Sequence, residues 1–253
     1  MNGWPPKAKT GAAAGVGRSL RQYYGDKARL AAMAALYARF VKPGDLAFDI
    51  GAHVGDRVAA FLSLGARVVA VEPQPGPFRA MRRLYHRSPY VTLVQAAVSD
   101  KAGRISMRVN TANPTVSTAS AEFIVASAGA PGWHGQRWDA EIEADAVTLD
   151  ALIRRHGRPA FVKIDVEGLE DKALRGLSRP LPALSFEFTT IQREVAHRSL
   201  GELARLGPYR FNAALGESQR LEFADDVHAE ALTRWLDALP PEANSGDVYA
   251  RLA

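Results

Sequence analysis

The stretch Leu46-Ala47-Phe48-Asp49-Ile50-Gly51-Ala52-His53-Val54-Gly55-Asp56 constrains the fold of this chain more than any other. An apolar run, a glycine-rich turn and the opening of a helix follow one another, and a second apolar run ends at Val69-Ala70-Val71-Glu72-Pro73. This order reads as a strand–helix–strand unit, which places a nucleotide-type ligand at the carboxyl ends of its strands. Gly51 and Gly55 let the backbone turn tightly and approach a ligand where a β-carbon would intrude. Glu72 follows the first glycine by about 20 residues, the spacing at which an acidic side chain reaches both hydroxyls of an adenosine ribose.

Spacing also selects the nucleotide. A dinucleotide fingerprint starting at Gly51 needs glycines at 53 and 56, and the chain has His53 and Asp56 there. A pyrophosphate seeks a helix N-terminus free of negative charge, and Asp56 has the wrong sign. A ligand with adenosine and no phosphate fits better, and S-adenosylmethionine (SAM) is the common one. Asp49-x-Gly51-x-x-x-Gly55 resembles the first motif of class I SAM-dependent methyltransferases, acidic-x-Gly-x-x-x-Gly.

Composition narrows the alternatives. A chain of 253 residues suits one domain with a large core. Apolar content of 47% and charged content of 23% are those of a soluble globular protein. No apolar run approaches the roughly 20 residues of a membrane span. Met1 to Gly17 carries Lys7 and Lys9 but no Leu/Ile/Val-rich core, which argues against a signal peptide and makes the cytoplasm the expected compartment. Without cysteine there is no disulfide, thiolate nucleophile or Cys-ligated zinc. The net charge of +5 comes mostly from arginine, and no basic run interleaves with aromatics, which argues against nucleic acid as a partner.

The expected domain plan is a flexible segment over residues 1–20, rich in Gly, Ala, Pro and Lys, and a single domain over 21–253. Helical spacing from Asp26 to Val41 predicts a helix, and Tyr23-Tyr24 ahead of it either cover a cofactor or pack on the sheet. Strands are expected over 46–50, 67–72, 91–95, 104–109, from Phe161 to the carboxylate of Asp165, 184–188 (carrying Glu187), 209–214 and 247–252, with a short strand or cap at 146–150. Helices are expected over 56–64, 78–87, 150–156, from Gly168 to about Leu177, and over 229–239. Residues 110–140, rich in Asn, Thr, Ser, Ala and Gly, are too long for an idle connection and read as an inserted lid or acceptor loop. His134 within it reads as a surface histidine. Asp165 and Glu167 end a buried strand at i and i+2 and so leave it on one side, in the ligand crevice of an open α/β sheet.

Asp49-Ile50-Gly51-Ala52-His53-Val54-Gly55, Val71-Glu72-Pro73, Ala96-Ala97-Val98-Ser99-Asp100, Thr148-Leu149-Asp150 and Lys163-Ile164-Asp165-Val166-Glu167-Gly168 occur in this order. Together they resemble the FkbM family of SAM-dependent methyltransferases over about residues 20–190. The resemblance implies a Rossmann-like class I methyltransferase fold: α/β, a seven-stranded mostly parallel sheet with a terminal antiparallel strand, and helices on both faces. It implies SAM as cofactor, contacted by Asp49, Gly51, Ala52, His53, Gly55, Glu72, Pro73, Ala97, Ser99 and Asp165. The family carries Asn where this chain has His53, and histidine can still donate one hydrogen bond. The implied reaction is O-methylation of a small-molecule or glycan hydroxyl on a sugar, polysaccharide or secondary metabolite, with Asp165 or Glu167 as general base. No metal is expected, because the sequence shows no ligand set beyond the paired carboxylates. The alternatives are a non-catalytic SAM- or sugar-binding protein of the same fold and a methyltransferase acting on nucleic acid. The acceptor and the oligomeric state are not encoded in any motif.

Overall fold

Short apolar runs bounded by glycine and proline become strands here, and the longer amphipathic runs between them become helices. The computed structural model describes residues 11–253. Helices α1 (Gly11–Gly25) and α2 (Lys27–Tyr37) lead to β1 (Leu46–Ile50), α3 (Asp56–Ser63), β2 (Arg67–Val71), α4 (Pro75–Tyr85) and β3 (Val91–Val94). Next come β4 (Ala97–Val98), β5 (Gly103–Val109), α5 (Ala121–Ser127) and β6 (Ala140–Val147). They are followed by α6 (Leu149–His156), β7 (Phe161–Ile164), α7 (Glu170–Arg175) and β8 (Ala183–Thr189). The chain ends in α8 (Arg193–Leu206), β9 (Tyr209–Leu215), α9 (Ala229–Ala238) and β10 (Ser245–Leu252).

Seven strands form one sheet in the order β3-β2-β1-β7-β8-β10-β9. Among the described residues, β10 alone runs opposite in direction to the other strands of this sheet. It is the last strand of the chain and inserts between β8 and β9, so the expected fold class holds. Every residue of β1 is buried because helices cover both faces of the sheet. Phe48 and Ile50 enter one core with Leu152, Leu174, Leu200 and Leu232 of α6, α7, α8 and α9. Ala47 faces the other, with Met33, Val58 and Met81 of α2, α3 and α4. The chain leaves β1 toward β2 on one side and returns on the other as β7. The strand order therefore reverses between them, and a crevice opens at their carboxyl ends.

Three departures from the sequence expectation bear on the site. A second sheet, β4-β6-β5, stands over the crevice; β6 begins at Ala140, well before the short strand expected at 146–150. Its alternating pattern, with acidic residues at 141, 143 and 145, is that of a half-exposed strand. Residues 110–140 are not a bare loop: they hold a 3₁₀ turn at Pro114–Val116 and helix α5, whose buried Phe123 meets Trp133 and Trp138 edge to face. Residues 11–20, inside the segment expected to be flexible, belong to α1, while residues 1–10 of that segment lie outside the described residues. Tertiary contact overrides the weak helix propensity of its glycines. Gly15 lies against Thr111 and Pro114, and the Arg18 guanidinium donates to the Ala112 carbonyl. Helix α8, which the sequence reading left unassigned, packs along α7 and β8.

Two glycines of the first motif do different work. Gly51 has φ +80°, and a β-carbon there would sit 1.7 Å from the Asp165 carbonyl oxygen. The turn after β1 and the turn after β7 thus touch through the missing side chain. Gly55 has φ +83°, but its β-carbon would meet Tyr85 and Met81 of α4 rather than the crevice. Its role is close packing, not the cofactor approach expected of it. A Gly51→Ala substitution is expected to cost about 2–4 kcal/mol from overpacking and the left-handed φ together. Urea denaturation of the purified variant, compared with wild type, measures that loss.

Candidate functional site

A cavity of about 360 Å³ lies beyond the carboxyl ends of β1, β2, β7 and β8. That volume falls within the range of small-molecule sites. Val71, Ala97, Val98, Ile105 and Met107 make one end apolar, with the second sheet supplying the last four. Thr115, Ser117 and Trp133 of the 110–140 segment and Tyr23 of α1 close the cavity from above. The two tyrosines of α1 divide the roles proposed for them. Tyr23 lines the cavity, whereas the Tyr24 hydroxyl packs against the fold, 3.0 Å from the Val54 carbonyl and 2.7 Å from the Tyr85 hydroxyl.

Glu72 ends β2 at the cavity wall and is held by two backbone donors. Its Oε2 accepts from the His53 amide at 2.9 Å and its Oε1 from the Gln74 amide at 2.7 Å. Burial pushes the carboxyl up to about 7, despite those two amides pulling it down. Each oxygen keeps a lone pair for a further donor, so a ribose diol has two acceptors waiting at the right spacing. Gly51 brings bare backbone to the same wall, and the apolar end beyond suits a purine. These residues fit the adenosine part of SAM.

The opposite end is acidic. Register explains why: Lys163 of β7 pairs with Ser185 of β8, so two residues further on Asp165 falls beside Glu187. Glu167 follows, with φ +53°, and its carbonyl accepts from the Thr118 hydroxyl at 2.6 Å. Oxygen atoms of Asp165, Glu167 and Glu187 all lie within 4.8 Å of one another. Beneath them Lys163 is fully buried, its Nζ 2.7 Å from Asp247 and 3.2 Å from Asp165. Arg57 approaches from α3, 3.8 Å from Asp165 and 3.3 Å from both Asp56 and Glu217. Burial works against the charge on Asp165, but Lys163 and then Arg57 outweigh it and hold the carboxyl below the ordinary range. Glu167 and Glu187 go the other way: burial first, then the charge of Asp165, pushes both well above it. Lys163 stays ionised because Asp165 and Asp247 outweigh its burial. Asp247 itself is pushed up, since burial exceeds the pull of Lys163, so the firmly ionised pair is Lys163 with Asp165.

The sequence profile of the methyltransferase FkbM domain matches residues 49–220. The chain belongs to the FkbM methyltransferase family. It is 33% identical over 221 residues to the 31-O-demethyl-FK506 methyltransferase FkbM of Streptomyces tacrolimicus, covering 77% of this chain and 82% of that protein. With the hexuronic acid methyltransferase AglP of Haloferax volcanii it shares 26% identity over 162 residues, covering 63% of this chain and 61% of the relative's length. Among solved structures, an O-methyltransferase from Bacillus cereus in complex with SAH superposes with a TM-score of 0.47 at 11% identity, covering 98% of this chain and 94% of that one.

Within this FkbM domain, Gly51, Ala52, His53, Glu72, Pro73, Ala97, Asp165 and Glu167 line the cavity. Three others do not reach it. Asp49 is fully buried under the turn, with both carboxylate oxygens unpartnered among the described residues, and burial pushes it up to about 7. Ser99 is turned to Asp100, 3.1 Å away, on the edge of the second sheet. Gly55 faces α4, as described above. His53 contributes its amide to Glu72, while both imidazole nitrogens are buried without a partner; burial lowers its pKa to about 4 and keeps it neutral.

Reading the sequence missed Arg57 and the part Glu187 plays. Glu187 had a visible signal: it is the one charged residue in the Ala183–Phe188 run, between Phe186 and Phe188, near the carboxyl end of a buried strand. The expectation that no ligand set extends beyond Asp165 and Glu167 is corrected by this third carboxylate. Arg57 gave no signal, because a single arginine in a first helical turn is common. Replacing Lys163 by Met should destabilise the FkbM domain by about 3–5 kcal/mol, leaving Asp165 and Asp247 without their cation. Adding Asp247→Asn to that variant should restore part of the loss, and chemical denaturation of both variants reads the coupling.

Proposed function

We propose that the protein is a SAM-dependent O-methyltransferase acting on a hydroxyl of a sugar, polysaccharide or secondary metabolite. The observation that carries the reading is the pairing, in one cavity, of a ribose-type end at Glu72 with an anionic end at Asp165. The activities of the two relatives, a methyltransferase of 31-O-demethyl-FK506 and one of hexuronic acid, support the acceptor class. SAM supplies, when bound, an electrophilic methyl group on a sulfonium. The chain's part is to align the acceptor with that methyl and to exclude water. Glu72 grips the ribose diol and fixes the cofactor's direction along the cavity. Asp165 presents a stable negative charge where the sulfonium lies. Glu167, open to the cavity and bonded through its carboxylate to no donor among the described residues, takes the acceptor proton as the O–C bond forms and the S–C bond breaks. The 110–140 segment acts as the cover of the acceptor end, and the cytoplasmic location expected from the sequence belongs to the same proposal.

Calorimetric titration with S-adenosylhomocysteine, with NADH alongside, tests the cofactor assignment. Binding of the former alone is expected, and Glu72→Ala should weaken it about tenfold to a hundredfold, the loss of one or two charge-assisted hydrogen bonds. The ionised Glu72 is the better acceptor, so affinity should rise with pH through about 7 and level off above it. Glu72→Gln should flatten that profile. Preferential NADH binding, or titrations indifferent to Glu72, would overturn the reading. Transfer of labelled methyl from SAM to a panel of glycosides and macrolide alcohols separates an enzyme from a protein that only binds.

A further inference from the structure

We propose that Asp165, Glu167 and Glu187 hold one divalent cation of the Mg²⁺ or Mn²⁺ type, and that this ion takes the acceptor hydroxyl as a further ligand. The role given to the hydroxyl rests on the O-methyltransferase reading above; the cation site itself does not. Three carboxylate oxygens mutually within 4.8 Å match the spread of ligands about a hard cation, whose oxygen ligands sit at about 2.0–2.6 Å and so at most about 4–5 Å from one another. An all-oxygen, all-anionic set selects this class of ion over zinc or copper.

Two independent observations say that a cation belongs there. Glu167 is 8% exposed, lines the cavity, and its carboxylate has no hydrogen bond or ion pair among the described residues. A buried carboxylate without a partner is costly, and the loss is recovered only by a cation or a donor arriving from the cavity. The protein's own cations are already engaged elsewhere. Lys163 contacts Asp165 and Asp247, and Arg57 contacts Asp165, Asp56 and Glu217, so neither pairs with Glu167 or Glu187. Among the described residues, the two glutamates of the trio have no positive partner.

Each residue contributes one oxygen to the ion, which leaves the second oxygen of Glu167 free for the acceptor proton. A hydroxyl bound to the ion loses that proton more readily, as metal-bound water does. Methyl transfer then forms the O–C bond, breaks the S–C bond and moves the proton to Glu167, with no oxidant or reductant involved. The ion also explains why the chain places two more carboxylates beside Asp165, when one suffices to face a sulfonium.

Manganese binding tests the site without an acceptor. Metal-stripped protein saturated with S-adenosylhomocysteine is titrated with Mn²⁺, and free Mn²⁺ is read from its electron paramagnetic resonance signal. One ion per chain is expected, displaced by Mg²⁺. Glu187→Gln and Glu167→Gln should each weaken binding about tenfold or more, since affinity follows the ligand charge count. The exposed Glu222→Gln should leave it unchanged. Absence of saturable binding up to about 5 mM, or equal binding by wild type and both glutamine variants, would overturn the proposal. Calorimetry with S-adenosylhomocysteine and a melting curve on the same samples show whether each variant folds. Should one glutamine variant fail to fold, the other and the Mg²⁺ competition decide. Glutamate-dependent Mn²⁺ binding without S-adenosylhomocysteine binding would keep the cation site and defeat the cofactor assignment; the reverse result would defeat only the cation site.

Discussion

The site exists because two turns share one place. The backbone after β1 and the backbone after β7 meet at Gly51 and Asp165, in contact through a carbonyl where any side chain would collide. That contact fixes the distance between the wall that ends in Glu72 and the floor that ends in Asp165 and Glu167. Everything chemical in the cavity is referred to it. The parallel register of β7 on β8 then sets Glu187 beside Asp165, and hydrogen bonds from β1 to β2 and from the His53 amide to Glu72 set the other wall. A strand-order reversal gives any open α/β sheet a crevice. The bare backbone at Gly51 turns that general crevice into one of defined width.

Charge is distributed unevenly across that width. At the adenosine end one buried carboxylate is satisfied by two amides, an arrangement that tolerates either ionisation state. At the other end three carboxylates face a cavity while their nearest cations lie to one side, under and beside Asp165 alone. The result separates roles among chemically similar groups: Asp165 is fixed as an anion, and Glu167 and Glu187 are left responsive to what enters. Like charges directly across β8 and β10, Glu187 and Asp247, would be destabilising were Lys163 not reaching Asp247 across the intervening strand. The buried lysine is thus as much a structural counter-charge for the sheet as an electrostatic support for the site.

The strands and glycine turns were legible because the sheet is buried on both faces and its strands read as continuous apolar runs. β1 was read to the residue, and Glu72, Asp165 and Glu167 stood out as acids at the ends of such runs. What could not be read is instructive. Helix α1 is rich in glycine and alanine and is held by contacts with Thr111, Pro114 and Ala112, all distant in sequence. Helix α5 is a short apolar run inside a segment rich in Asn, Thr, Ser and Gly, and it is held by Phe123 packing on Trp133 and Trp138. Asp49 and Ser99 follow the same motifs as residues that reach the cavity, but strand alternation turns Asp49 to the far side of the turn, and the edge of the second sheet carries Ser99 away. Motif membership marks a neighbourhood; the pleat decides which side chain faces the ligand.

The boundary of the family match sharpens this distinction. Residues 49–220 contain the whole adenosine wall and all three carboxylates, so the parts that bind a nucleoside and face the reacting methyl belong to the shared FkbM domain. Gln22, Tyr23, Asn244 and Ser245 also line the cavity, and they lie outside that match. They come from α1 and from the entry to β10, two elements far apart in the chain that both reach the cavity. A cavity whose carboxylates are supplied by the common domain, and whose rim adds Gln22, Tyr23, Asn244 and Ser245 to the Thr115, Ser117 and Trp133 of that domain, can keep one reaction while changing what it admits.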